Sequence, residues 1–273
     1  MTVGTAPPLA LLKLGGALIT DKSGREAVRF DVLARLAAEL SAWPPAHAGG
    51  LIIAHGSGSF AHVAVQETGF LERPLDRLAH ARVAAAAARL SAHVMDALVT
   101  AGLPAVAVPG GLLADCRAGG IHAVRAELLL PLLRAGLVPV TWGDAALDDA
   151  GDGMIASTEL LLGAIARDLG AARLVAATDV DGVFSLDPVA HPDQPPIARI
   201  TPGSLAGLAL GGARPGAVDV TGGMASKVDN LLALAMALPA LEIRIVSGLR
   251  AGAVVAALAG EDEAGGTVVS AHA

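Results

Sequence analysis

Three lysines stand among sixteen arginines in this chain: Lys13, Lys22 and Lys227. Where a positive charge only solvates a surface, the sequence uses arginine. The exceptions therefore mark places that call for a compact ammonium on a slim stem. All three fall in glycine-rich stretches next to strand-like runs, "KLGGALITDK" (13–22) and "DVTGGMASK" (219–227). Point charges beside backbone that glycine lets approach closely are chemistry for phosphate groups. Lys13 and Lys22 would supply charge around the Gly15-Gly16 turn; the alternative is a tight turn flanked by two surface lysines. Thr221-Gly222-Gly223-Met224 precedes a helix with Lys227 on its first turn. Backbone donors and an ammonium converge there as the γ-phosphate of ATP requires.

A second stretch, "LIIAHGSGSFAH" (51–62), runs from a buried strand into Gly56-Ser57-Gly58, with His62 on the first turn of a helix. Ala61 breaks the dinucleotide fingerprint, and no G-x-x-x-x-G-K-[ST] loop occurs anywhere. No Cys, His or acidic residue lies at metal-ligand spacing from His55 and His62, so no protein-held metal is expected. What remains is a backbone nest before a helix N-terminus, suited to a phosphate monoester. His62 would face it; His55 reads as structural. In "TWGDAALDDAGDGMIASTELL" (141–161), Asp144 follows Gly143 at a strand end, where it would orient a lysine or the acceptor. Asp148, Asp149 and Asp152 read as a solvated turn. Ser157, Thr158 and Glu159 open a helix whose positive end would face an anion. In "ATDVDGVFSLDP" (177–188), residues Thr178 to Phe184 would hold a base and ribose through backbone groups and one carboxylate, or form a plain turn at Asp181-Gly182.

The elements that must position these residues alternate. Runs at 9–16, 50–56, 104–110, 137–144, 173–182, 242–248 and 267–270 are apolar on both faces, as strands of a covered parallel sheet are. Helical patterns lie near 31–42, 75–101, 123–135, 157–170, 226–238 and 250–259, with Asp31 placed as an N-cap and Gly102, Gly136 and Gly170 as stops. The alternation predicts an α/β fold, a three-layer α/β/α open sandwich with a mostly parallel central sheet. One domain spans 1–273, with an acceptor lobe over 1–170 and a nucleotide lobe over 171–273. The Pro- and Gly-rich stretch 188–216 reads as an irregular excursion, a small hairpin or a lid. In such sheets ligands sit at the carboxyl ends of the strands, where the glycine loops fall.

Composition narrows the class. A net charge of −7 argues against nucleic-acid binding. Cys116 stands alone, which excludes an internal disulfide. The longest apolar run is interrupted by Arg89, His93 and Asp96, and no basic residue precedes Lys13, so neither a membrane span nor a secretory signal is expected. A cytoplasmic protein fits best. The alanine-dominated run from Val83 to Leu90 leaves room for an apolar ligand tail, or is simply a core face.

Taken in order, the lysine with paired glycines, "HGSGSFAH", "GD", "TDVDGV" and "DVTGGM…K" resemble the amino-acid kinase superfamily, over residues 11 to 235. The histidine closing the second loop and "DVTGGM" resemble isopentenyl phosphate and fosfomycin kinases in particular. The resemblance implies an amino-acid kinase-like sandwich, Mg-ATP, commonly a homodimer, and phosphorylation of isopentenyl phosphate to isopentenyl diphosphate. The alternatives are a kinase of fosfomycin or another small phosphonate or phosphate, or a non-catalytic ATP-binding sensor. It places Lys13, Lys22 and Lys227 on ATP phosphates, with Asp144 organising the lysines. Gly16, Gly56, Ser57, Gly58 and Ser157 would hold the acceptor's phosphate, with His62 as hydrogen-bond partner. Asp179, Gly182, Phe184, Gly222 and Met224 would line the nucleotide site. The chain departs from the family pattern at Ser57 and Ala61, each a glycine there, and at Ala156-Ser157-Thr158-Glu159, where the family usually has Ser-Gly-Asp-Asp; the first aspartate of that element, often an organiser of the catalytic lysines, falls at Thr158.

Overall fold

Strands that are apolar on both faces must be buried between two layers of helix, and the chain builds that arrangement. The computed structural model describes residues 7–21, 24–71, 75–187, 190–191, 193–205 and 223–272. Among them, eight strands form one sheet: β1 (Ala10–Leu14), β2 (Leu51–His55), β3 (Ala105–Ala107), β4 (Val138–Trp142), β5 (Arg173–Thr178), β6 (Arg199–Ile200), β7 (Glu242–Ser247) and β8 (Thr267–Val269). Their spatial order is β6-β8-β7-β5-β1-β2-β4-β3. Every pairing is parallel except that of β7 with β8. Central β1 is buried along its whole length, with Lys13 in register between Ala176 of β5 and Ala54 of β2.

Alternation along β1 sends neighbouring residues into opposite cores. Leu11 joins Leu161, Ile165 and Val228 under helices α4 (Thr158–Leu169) and α5 (Gly223–Ala237). Leu12 and Leu14 join Leu36, Leu90 and Leu258, from α1 (Phe30–Ser41), α3 (Arg77–Thr100) and α6 (Ala253–Ala259). A third cluster packs α2 (Gly58–Thr68) on α3 through Ala61, Val65, Val83, Ala86 and Trp142.

The helix stops fall where glycine predicts them. Gly170, Gly102 and Gly136 take φ of 66°, 89° and 73°, at or just past the last helical residue, a left-handed conformation that strains residues with a Cβ. Three expectations are corrected. Residues 123–135 are not one helix: Gly120–Val124 pairs with Ala114–Arg117 as a hairpin, and Pro131 confines the helix to Leu130–Arg134. Asp31 lies inside the first turn of α1, where it complements the helix dipole, and Arg29 holds the cap position. Within the 188–216 excursion, Arg199–Ile200 is an edge strand of the main sheet; residues 206–216 lie outside those described. Helix α3 is, by length and mean hydropathy, apolar enough to cross a bilayer. Its stripe of Val83, Ala86, Leu90, Val94 and Leu98 is instead buried in the protein core.

Candidate active site

Three loops leave the carboxyl ends of β1, β2 and β4 and are stitched together by their backbones. Gly15 donates its N–H to Ala177 O (2.9 Å) and Gly56 donates to Leu14 O (2.9 Å), so both loops leave the sheet at one level. They then touch: a Cβ on Gly16 would lie 2.5 Å from the Gly58 nitrogen. Gly58 has φ of 49°, and a Cβ there would strike the Thr20 hydroxyl. Only glycine permits that contact. Thr20 Oγ1 donates to Gly16 O (2.8 Å) and accepts from the Ser59 N–H (3.0 Å). Ser57 Oγ donates to Gly143 O (2.9 Å), drawing in the loop after β4. The serine at 57 thus fixes a neighbouring loop through its side chain.

Charge gathers over this platform. The cleft is lined by Lys13, Gly16, Gly56, Ser57, Gly58, His62, Asp144, Ser157, Asp179 and Lys227, among others. Three helical starts surround it, at Gly16, Gly58 and Thr158, and each turns a partial positive charge toward an anion. Ser157 caps α4 by accepting the Leu160 N–H (3.3 Å). Lys13 is buried and forms an ion pair with Glu159, which comes from the first turn of α4. Burial opposes ionisation of Glu159, yet the charge and hydrogen bond of Lys13, with a further pull from Lys227, hold its carboxyl below the ordinary value. Sequence reasoning placed Glu159 only in a helix opening. Its partner lies 146 residues away, and the one usable signal was that a lysine inside a buried strand needs a counter-charge.

Asp144 has a different surrounding from the one expected of an organiser of lysines. Its carboxylate accepts backbone N–H groups of Gly111 (3.3 Å) and Ala145 (2.9 Å). Burial outweighs those bonds and pushes its pKa up to about 6. An acid whose folded pKa exceeds its unfolded value contributes stability at low pH, and that contribution is lost as pH rises from about 4 through 6. Asp144→Asn removes the charge, although its one carbonyl oxygen can accept from only one of the two N–H groups, which bond different carboxylate oxygens. The charge-dependent part of its stability change is therefore expected to be a gain of about 2–3 kcal/mol at pH 7. Near pH 3 the gain should vanish. Denaturant unfolding at the two pH values checks this, and equal shifts at both would trace the effect to packing.

His55 is fully buried, stacked on Trp142 with ring centroids 5.8 Å apart, and burial pushes its pKa down to about 4. It is neutral at pH 7, in keeping with a structural reading. His62, half-buried on α2, lines the cleft. Beyond it the cleft turns apolar, with Ala61, Val65, Val83 and Ile155. Of the run from Val83 to Leu90, Val83 reaches the cleft, while Ala86, Ala87 and Leu90 are core. Met224 and Lys227 line an adjoining recess with Leu162, Leu174 and Ile245. Gly182 and Phe184 are not among the residues lining either space. Gly182 has φ of 137°, and a Cβ there would meet Thr267 Oγ1 at 2.7 Å, so its glycine is required by packing on β8. Lys22 and Gly222 lie outside the described residues.

The sequence profile of the amino acid kinase family matches residues 8–247, nearly the whole chain. The chain belongs to the amino acid kinase family. Within the family, it is 34% identical to the isopentenyl phosphate kinase of Methanothermobacter thermautotrophicus over 275 residues, covering 97% of this chain and 100% of that one. It is 35% identical to the isopentenyl phosphate kinase of Haloferax volcanii over 227 residues, covering 83% and 88%. A solved isopentenyl phosphate kinase structure superposes with a TM-score of 0.80 at 31% identity, over 96% of this chain and 100% of that one. The fold of this chain thus matches that isopentenyl phosphate kinase structure over nearly its whole length.

Proposed function

We propose that the protein is an isopentenyl phosphate kinase, transferring the γ-phosphoryl group of ATP to isopentenyl phosphate. The observation that carries the reading is one cleft with two ends: a glycine nest with His62 at one side, an apolar wall of Ala61, Val65, Val83 and Ile155 beyond it. A phosphate monoester with a short branched hydrocarbon tail fits both. At neutral pH such a monoester is largely a dianion, so its attacking oxygen needs no general base. That oxygen forms the new bond to the γ-phosphorus as the bond to the leaving ADP oxygen breaks. The protein's work is alignment and charge stabilisation. In this reading Lys13 and Lys227 meet the ATP phosphates, Gly16, Gly56, Ser57 and Gly58 cradle the acceptor's phosphate with Ser157 nearby, and His62 hydrogen-bonds it. Asp179 and Met224 lie on the nucleotide side. The reading includes a Mg2+ ion carried on the ATP phosphates. Bound there, the ion would supply charge neutralisation to the phosphates during transfer. A homodimer and a cytoplasmic location belong to the same proposal.

ATP consumption with isopentenyl phosphate, dimethylallyl phosphate, fosfomycin, UMP and acetylglutamate tests it. Isopentenyl phosphate should give the highest kcat/KM; a higher value for fosfomycin would replace the reading. The apolar wall carries a second expectation. Val83→Ala should raise kcat/KM for geranyl phosphate relative to isopentenyl phosphate by about tenfold or more, since each methylene accommodated in an apolar pocket is worth roughly 1–3 kcal/mol. An unchanged ratio would make Val83 a core residue only.

A further inference from the structure

We infer that Glu159 is the positioning residue of this site, fixing the Lys13 ammonium for phosphoryl transfer; the inference rests on the kinase reading above. The first two residues of α4 divide two tasks. Thr158 is buried, and its hydroxyl donates to His55 O (3.1 Å), at the end of the strand that feeds the glycine nest. Gly143 closes that corner from the other side: a Cβ there would sit 2.9 Å from the same hydroxyl. A side chain at 158 thus faces a carbonyl oxygen and needs a donor, and an ionised carboxylate there would meet a second acceptor. Thr158 ties α4 to the acceptor loop and carries no charge.

Glu159 begins about 100° further round the helix. With two methylenes it extends toward β1 and pairs with Lys13. Both side chains are nearly enclosed, 9% exposed for Lys13 and 11% for Glu159. Lys227 acts on the same carboxylate through space and lines the same recess, so Glu159 acts on both lysines among the described lining residues. The pairing has two effects. It offsets the cost of keeping an ammonium in a buried strand, which without a partner would be severe. It also holds a side chain with four rotatable bonds in one orientation, its Nζ beside the cleft. Asp144, the other buried carboxylate there, spends its hydrogen bonds on backbone N–H groups. Glu159 instead pairs directly with the Lys13 ammonium.

Kinetics of Glu159→Gln, which keeps the shape and removes the charge, test the inference. We expect kcat to fall about 10²-fold with both KM values within about threefold of wild type, as for a reacting group displaced by an ångström. In a Lys13→Met background the same change should cost less than about threefold more, because the group it aligns is gone. Glu159→Gln with near-wild-type kcat, or a full further loss in the Lys13→Met background, would overturn the inference while leaving the kinase reading intact. Wild-type protein without turnover would instead remove the kinase reading. If Glu159→Gln does not fold, Glu159→Asp replaces it. The charge then remains but its reach is short, so kcat should drop about tenfold; an unchanged kcat there also overturns the inference.

Discussion

Lys227→Met is expected to lower kcat for ATP-dependent phosphorylation of isopentenyl phosphate by about 10²–10³-fold, with the fold intact. The methionine keeps a stem of similar length and apolar character and removes the charge. The reasoning is electrostatic. Charge spreads over the transferring oxygens in the transition state, and an ammonium fixed beside them in a site partly shielded from water is worth roughly 2.7–4 kcal/mol. Lys227 lies one turn into α5 and lines both the main cleft and the recess behind it. Lys13→Met should lose at least as much. It is the less clean experiment, because it also strands the buried Glu159 carboxylate. Single-turnover rates with circular dichroism on each variant are the measurement. Near-wild-type turnover in Lys227→Met would take that lysine out of the phosphate site.

His62→Ala should reduce kcat/KM for isopentenyl phosphate by about 10²-fold or more. The acceptor brings a dianion toward the γ-phosphate, and a dianion beside an imidazole favours its protonated form. A protonated ring would offset the repulsion between the two phosphates as they close. His62→Gln, which donates without the charge, should fall between alanine and wild type. The KM for ATP should hardly move, since His62 lies on α2, after β2, and the nucleotide side proposed above lies after β5 and on α5. His55→Asn is the control and should be mild in kinetics: His55 is buried against Trp142 behind the nest. Wild-type turnover in His62→Ala would make the histidine structural.

Much of the scaffold was legible because long regular patterns carry strong signals. The helices at Phe30–Ser41, Arg77–Thr100 and Thr158–Leu169 follow the apolar period, and seven of the eight strands of the main sheet fall in the largely apolar runs, Arg199–Ile200 being the exception. The small hairpins were not legible. Ala114–Arg117 with Gly120–Val124, and Asp144–Leu147 with Gly153–Ala156, are too short to show a period and mix polar with apolar residues. Lys13, Gly16, Gly56, Gly58 and Lys227 line one cleft, and the sequence signal for them was their glycine-rich surroundings. What holds them in place was not legible. Ser57 reaching Gly143, Thr158 reaching His55 and Glu159 reaching Lys13 join residues 86, 103 and 146 positions apart, and no local spacing announces them. Gly182, read from its motif, also has a packing duty that the motif does not announce, which is to pass Thr267.

Strand β1 is paired along both edges, with Leu14 opposite Ala177 of β5 and His55 of β2. The loops that follow β2 and β5 are therefore separated by two strand spacings, roughly 10 Å, a span set by backbone hydrogen bonding and independent of which side chains line the gap. On the proposed function the sheet acts as a ruler, with one bank for the phosphoryl donor and the other for its recipient. A lineage can exchange the recipient by rewriting one bank while the donor's bank and the distance between them stay constant.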